Sequence, residues 1–202
     1  MSDIELPKIT IGDRITLPTA FGQLFVQHLR SDIQEGIIVT GQKPFADPLP
    51  VRIQSSCLFS ESLLSTDCDC AAQLHGALGI ISSSGGLLVY LYEEGRGAGL
   101  ELKIKAIKAE QDMGYHTADA YGHLELDPDP RTNMVAAAAV LSIVGPNHRV
   151  EVLTNNLNKV NALRDVGVNV VHRRPFVYKR NSSVEQYLLQ KSNVLGHRLD
   201  HD

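Results

Sequence analysis

All three cysteines of this 202-residue chain fall between positions 57 and 70, as Cys57, Cys68 and Cys70 of "CLFSESLLSTDCDC". Three thiols cannot pair completely, and Cys68 and Cys70, one residue apart, are too close for an easy mutual disulfide. Buried cysteines behave as small hydrophobes, but Asp67 and Asp69 flank this pair, a polar setting that ill suits apolar burial. A metal site is the better expectation. Three thiolates suit Zn²⁺, and three protein ligands leave the fourth tetrahedral position open to water. A histidine from elsewhere, such as His75, would instead close the site and make it structural.

A second stretch with chemistry is "YLYEEGRGAGLELK", in which a strand runs through Glu93, Glu94, Gly95, Arg96 and Gly97 directly into a helix. Glycines allow close backbone approach, a helix N-terminus attracts phosphate, and the planar fork of Arg96 could clamp an anion. The pattern is neither a P-loop nor a dinucleotide fingerprint, and many such turns are only turns. "VLTNNLNK" is similar, offering Thr154 and Lys159 at a strand end, or merely an asparagine helix cap. In "ELDPDPRTNM", Asp129 stands two residues before Arg131 in a proline-fixed loop at a helix start, where caps and salt bridges are common.

These residues need elements to hold them. Residues 22–29 and 36–41 read as a hairpin around a polar turn, and "PFADPLPVRIQSSC" as a loop entering a strand. After Cys70 a helix is marked by Leu74, Leu78 and Ile81 and stopped by Ser and Gly. The continuous apolar run 86–92 is a buried strand. Leu100, Ile104 and Ile107 mark one face of a helix ending at Gly114, residues 131–144 form another, and 149–176 read as strand, helix, strand. The expected fold class is mixed α/β, a single domain with a mixed sheet and flanking helices. The expected boundaries are an N-terminal extension over 1–13, the domain over 14–198, and a loose tail over 199–202.

Bulk properties narrow the partners. A chain that is 43% hydrophobic can bury a full core, and a formal net charge of −4 gives no general polyanion-binding surface. Nucleic acid is therefore not the expected partner. The acidic start with a proline does not read as a signal peptide, and no apolar stretch approaches the ~18 residues of a membrane span. A cytoplasmic protein is the plain expectation.

Together, "VRIQSSC", the C-x10-C-x-C spacing, Gln73, "EEGRGAGL", "GYHT", "DPDPR", "VLTNN..K" and the closing "N…YL..K…GH" occur in the order and intervals of one family. From about residue 14 to 198 the chain resembles GTP cyclohydrolase II. That resemblance implies opening of the imidazole ring of GTP, with loss of formate and pyrophosphate, as the committed step toward riboflavin, by a mixed α/β fold that is usually a homodimer. It implies one Zn²⁺ per chain on Cys57, Cys68 and Cys70, Mg²⁺ with the triphosphate, and Arg131 with Asp129 as the catalytic pair. It also implies GTP contacts from Arg52, Ile53, Gln54, Ser55, Ser56, Gln73, Glu94, Gly95, Arg96, Thr117, Thr154 and Lys159, with Glu94 reading guanine N1–H and the 2-amino group. The chain departs from the family at Gln54 and Ser56, where His and Glu are usual, at Ile107, where Tyr is usual, and at Thr132-Asn133. Two readings follow: zinc-dependent ring opening, with the formyl group retained if Ile107 matters, or a non-catalytic guanine-nucleotide binder with a structural zinc. A zinc deaminase would need H-x-E and P-C-x-x-C, which are missing. A zinc-ribbon nucleic-acid module would need paired C-x-x-C knuckles and a basic face.

Overall fold

Apolar alternation near the start of the chain produces an antiparallel meander of β1 (Ile9–Thr19), β2 (Gly22–Ser31) and β3 (Glu35–Gly41). The computed structural model describes residues 5–115, 117–125 and 133–176. Thr19 closes the first turn, its Oγ1 accepting from Phe21 N at 3.1 Å and donating to the Gly22 carbonyl at 2.7 Å. In the second, Ser31 Oγ accepts from the N–H groups of Ile33 and Gln34, a local hydrogen bond that suits serine to turns. The hairpin expected over 22–41 is thus present. Residues 9–13, assigned by the sequence to an extension, are the start of β1, where Ile9, Thr10 and Ile11 pair with β2. Much of β1 is solvent-exposed, Ile15 and Leu17 included.

The chain continues through β4 (Leu49–Ser55), the short helix α1 (Leu58–Glu61), α2 (Cys70–Ser84), β5 (Leu87–Leu91), α3 (Leu100–Met113) and α4 (Thr117–His123). It then runs through α5 (Met134–Val144), β6 (Val150–Leu153), α6 (Leu157–Asp165) and β7 (Val170–Arg174). Among the described residues one mixed sheet results, in the order β1-β2-β3-β5-β4-β6-β7. Its β1-β2-β3-β5 half is antiparallel, and β5-β4-β6-β7 is parallel. None of the described helices is long and apolar enough to cross a membrane.

Strand periodicity sorts the core onto two faces. Leu87, Val89 and Leu91 of β5 and Leu49, Val51 and Ile53 of β4 pack with α5 and α6 on one face. Ala136 to Ala139 of α5 are all buried there, small side chains that let the helix lie close to the sheet. On the other face, Leu88 of β5 and Val39 of β3 pack with Ala77, Ile81, Leu74 and Leu78 of α2, the stripe read from the sequence. At the end of α2, Gly85 adopts φ +75°, and a Cβ there would lie 2.0 Å from the Pro44 carbonyl oxygen, so only glycine fits.

Two elements differ from the sequence reading. β4 alternates apolar and polar residues, yet Arg52 and Gln54 are buried as well; their side of the strand lies beneath α2 rather than in water. In α3 the buried positions are Ala106 and Ala109, packed on Ala120 and Tyr121 of α4, while Ile104 is 50% exposed. The expected Leu100–Ile104–Ile107 face is therefore not the core face. Small alanines against one short helix, not the large side chains, make the contact.

Candidate metal centre and nucleotide site

The segments that follow β4, β5 and β6 leave the carboxyl ends of parallel strands, where open α/β sheets form their crevices. β4 runs into Cys57, β5 into Glu93 and Glu94, and β6 into Thr154.

The three sulfur atoms converge. Cys57, Cys68 and Cys70 Sγ all lie within 4.8 Å of one another, with Cys57 and Cys68 3.7 Å apart. Tetrahedral zinc with Zn–S near 2.3 Å requires sulfurs about 3.8 Å apart, so the donor set fits that ion. All three cysteines are free. Cys57 is buried at the start of α1, and Cys70 opens α2, so two helix starts fix the ends of the ligand loop. Hydrogen bonds from Cys68 and Cys70 hold the Cys57 thiol far below its usual range, with burial opposing and the Lys103 charge adding. Cys68 is pushed up, because its proton is held toward the Cys57 sulfur. His75 does not complete this set: it is exposed and packs against the Phe21 ring, centroids 5.9 Å apart.

Behind Cys57 lies a polar network in which Glu61 joins the motif residues Arg52, Gln54 and Gln73. Glu61, one turn along α1, accepts from Cys57 N at 3.3 Å, from Gln54 Nε2 at 3.2 Å and from the Tyr90 hydroxyl. Burial pushes the Glu61 carboxyl up against these three hydrogen bonds, and burial together with Glu61 pushes the Tyr90 phenol up. Gln54 also donates to the Cys70 carbonyl at 3.4 Å. Arg52 donates to Gln54 Oε1, Gln73 Oε1 and the Leu153 carbonyl, and lies 5.2 Å from the Phe176 ring centroid. Gln73 in turn donates to Asp69 Oδ2 at 2.6 Å. Arg52, Gln54 and Gln73 therefore brace the ligand loop from below. Asp69 is 1% exposed, and its Oδ1 has no hydrogen-bond partner.

The other expected contacts divide. Ile53 is fully buried core, and its carbonyl accepts from Lys159 Nζ at 2.9 Å. Ser55 donates to Glu93 Oε2 at 3.0 Å, and Ser56 N donates to the Leu91 carbonyl. Thr154 Oγ1 accepts from Asn156 N, and Asn156 caps α6 through Asn158 N, so the cap reading of that motif holds. Thr117 is the first residue of α4. Asp129, Arg131, Thr132 and the closing motif lie outside the described residues.

The Glu-Gly-Arg-Gly turn is locally strained. Gly95 and Arg96 have φ of +59° and +58°, the left-handed region that a non-glycine residue such as Arg96 rarely adopts. Such strain clusters at functional sites. The Arg96 guanidinium stands 5.5 Å from the Tyr121 ring centroid, and Tyr121 donates to the Gly95 carbonyl at 3.1 Å. Glu94 turns back to the cysteines: Oε1 accepts from Leu58 N and Oε2 from Lys103 Nζ at 2.7 Å. Lys103 also lies 3.3 Å from Cys57 Sγ. Burial would lower the Lys103 pKa, but the Glu94 hydrogen bond and the Cys57 charge outweigh it and raise it. Lys103 escaped the sequence reading, although a lysine on the Leu100–Ile107 stripe was a visible anomaly.

Comparison with known proteins matches residues 11–175 to the family described as GTP cyclohydrolase II. The chain is 36% identical over 191 residues to "GTP cyclohydrolase-2" of Acinetobacter baumannii, covering 92% of this chain and 94% of that one. It is 38% identical over 190 residues to "Riboflavin biosynthesis protein RibBA" of Bacillus velezensis, covering 92% of this chain but only 47% of the relative, so it spans about half the length of that protein. Among solved structures, RibBX, a two-domain 3,4-dihydroxy-2-butanone 4-phosphate synthase from A. baumannii, matches 86% of this chain and 42% of its own at TM-score 0.47 and 15% identity, too loosely to bear on function. Three convergent thiols, a strained Glu-Gly-Arg-Gly turn beside them, and a family match running from β1 to the end of β7 agree: the chain belongs to the GTP cyclohydrolase II family.

Proposed function

We propose that this protein hydrolytically opens the imidazole ring of a guanine nucleotide, GTP, with release of pyrophosphate, in riboflavin synthesis. The observation that carries this reading is the meeting of three thiols within 4.8 Å, linked through Lys103 to Glu94. A zinc ion held by Cys57, Cys68 and Cys70 would supply Lewis-acid activation of water at neutral pH for attack on purine C8.

The chain's own residues do the rest. Glu94 has both oxygens oriented by Leu58 N and Lys103. A carboxylate offers about four lone-pair sites, so it retains acceptors for guanine N1–H and the 2-amino group. Arg96, preset in its left-handed turn, and Arg131 are the cations for the phosphates. Arginine stays protonated and is a poor nucleophile, so Arg131 stabilises phosphate charge, and Asp129 takes the proton of the water that attacks the α-phosphate as pyrophosphate leaves. Mg²⁺ accompanies the triphosphate, and the working unit is a cytoplasmic homodimer. Ile107, which provides no hydroxyl, leaves the formyl group on the product.

The test is incubation of the purified protein with GTP and Mg²⁺, with products identified by mass. A ring-opened pyrimidine nucleotide and free pyrophosphate are expected. Tight GTP binding with no turnover would replace this reading with that of a guanine-nucleotide-binding protein.

A further inference from the structure

Lys103 closes the stretch "YLYEEGRGAGLELK" without a role assigned to it there, yet its ammonium meets three partners that attract a cation. Nζ lies 2.7 Å from Glu94 Oε2, 3.3 Å from Cys57 Sγ and 4.7 Å from the centroid of the Phe59 ring. An ordinary helix-surface ion pair needs only the first, as Lys105 with Glu101 shows on the exposed side of the same helix. Lys103 and Glu94 side chains are instead each only 16% exposed. The turn makes room for this arrangement: a Cβ on Gly95 would stand 3.1 Å from Lys103 Cβ. Both anchors of Glu94 also lead to the cysteines, since Leu58 directly follows Cys57 and Lys103 touches its sulfur.

We propose that Lys103 is a positioning residue whose ammonium locks the Cys57 thiolate and the Glu94 carboxylate into one unit, so that the metal-binding sulfur and the base-reading carboxylate hold a fixed relation. This rests on the metal-centre reading above and deepens it. Three thiolates on a divalent cation leave one excess negative charge, which works against activation of water. An N–H group donated to one sulfur withdraws part of that charge, and partners of this kind orient metal ligands and tune the metal. The same ammonium fixes the rotamer of Glu94, so Lys103 acts on both halves of the site without touching the reacting atoms.

The experiment uses the full chain loaded with Co²⁺, whose thiolate-to-metal charge-transfer band reports the electron richness of the sulfurs. In Lys103→Met one Co²⁺ per chain should remain and the band should move to lower energy, because an unbonded thiolate gives up its electrons more easily. Co²⁺ affinity should fall about 10-fold or more. Lys103→Arg, which retains a cationic donor, should return the band toward its original position. If Lys103→Met does not fold, Lys103→Gln decides, with a smaller shift in the same direction. A band unmoved in a folded Lys103→Met or Lys103→Gln protein, with one Co²⁺ bound, would overturn the inference alone. An unsubstituted protein that takes up no Co²⁺ would overturn the metal-centre reading itself, and the inference with it.

Discussion

Lys159, on α6, donates from its Nζ to the carbonyl oxygen of Ile53 in β4, 2.9 Å away. Both residues are buried, so the bond ties the helix after β6 to the strand that delivers Cys57. Lys159→Met keeps the apolar stem and removes the donor. Charge-assisted hydrogen bonds contribute about 1.5–3 kcal/mol, and urea unfolding should show a loss of that size. An unchanged urea midpoint with a raised KM for GTP would instead assign Lys159 to the phosphates.

How much of this was legible depended on what each signal measures. The run 86–92 and the stripe Leu74–Leu78–Ile81 were legible because apolar periodicity reports burial directly: Leu87 to Leu91 and the stripe join the core, while Tyr92 is exposed. The cysteine cluster was legible because it is local in sequence. The bracing network was not. Arg52 and Gln54 alternate with apolar residues along β4, and only α2 lying over their side of the strand makes them buried, hydrogen-bonded groups. Lys103 and Glu94 are nine residues apart, and their meeting depends on two successive left-handed residues that no pattern of hydropathy encodes.

Glu61 should matter to the metal centre although it is not a ligand. It accepts from Cys57 N, Gln54 and Tyr90, and Glu61→Ala removes the acceptor of Cys57 N and of the Tyr90 hydroxyl, while Gln54 keeps the Cys70 carbonyl. Each buried, unsatisfied group costs about 1–3 kcal/mol. Denaturant unfolding should detect this loss, and chelator competition should show zinc affinity about 10- to 100-fold weaker. Unchanged zinc affinity would mean that Glu61 supports only the fold.

Removal of one ligand should remove the metal. Purified protein should carry about one Zn²⁺ per chain, and Cys68→Ser should lose both zinc and ring opening. Because the ligands must be deprotonated, zinc affinity should weaken as pH falls. A full zinc complement in the triple Cys→Ser protein would sink the assignment.

Arg131→Ala should abolish pyrophosphate release and leave the thermal midpoint almost unchanged. The residue follows the proline-rich stretch "DPDP", outside the described residues. Normal pyrophosphate release from the variant would reduce Arg131 to a salt-bridge partner.

The last prediction concerns Ile107. It lies one turn beyond Lys103 on α3, and residues four apart share a helix face. Lys103 reaches the Cys57 sulfur from that face, so Ile107 stands on the side of the helix turned to the metal centre. It is half-buried and apart from the alanine contact with α4, so packing alone does not require isoleucine there. Ring opening and removal of the formyl group are separate hydrolytic events at C8, and the second needs its own oriented water or polarised formamide. A hydroxyl placed as acid or base contributes ~10²–10⁴-fold, and isoleucine offers none. The unmodified protein should therefore give a formamidopyrimidine nucleotide whose mass retains the formyl carbon. Ile107→Tyr should restore some formate release, followed by coupled formate oxidation. Stoichiometric formate from the unmodified protein would show that no hydroxyl is needed at this position.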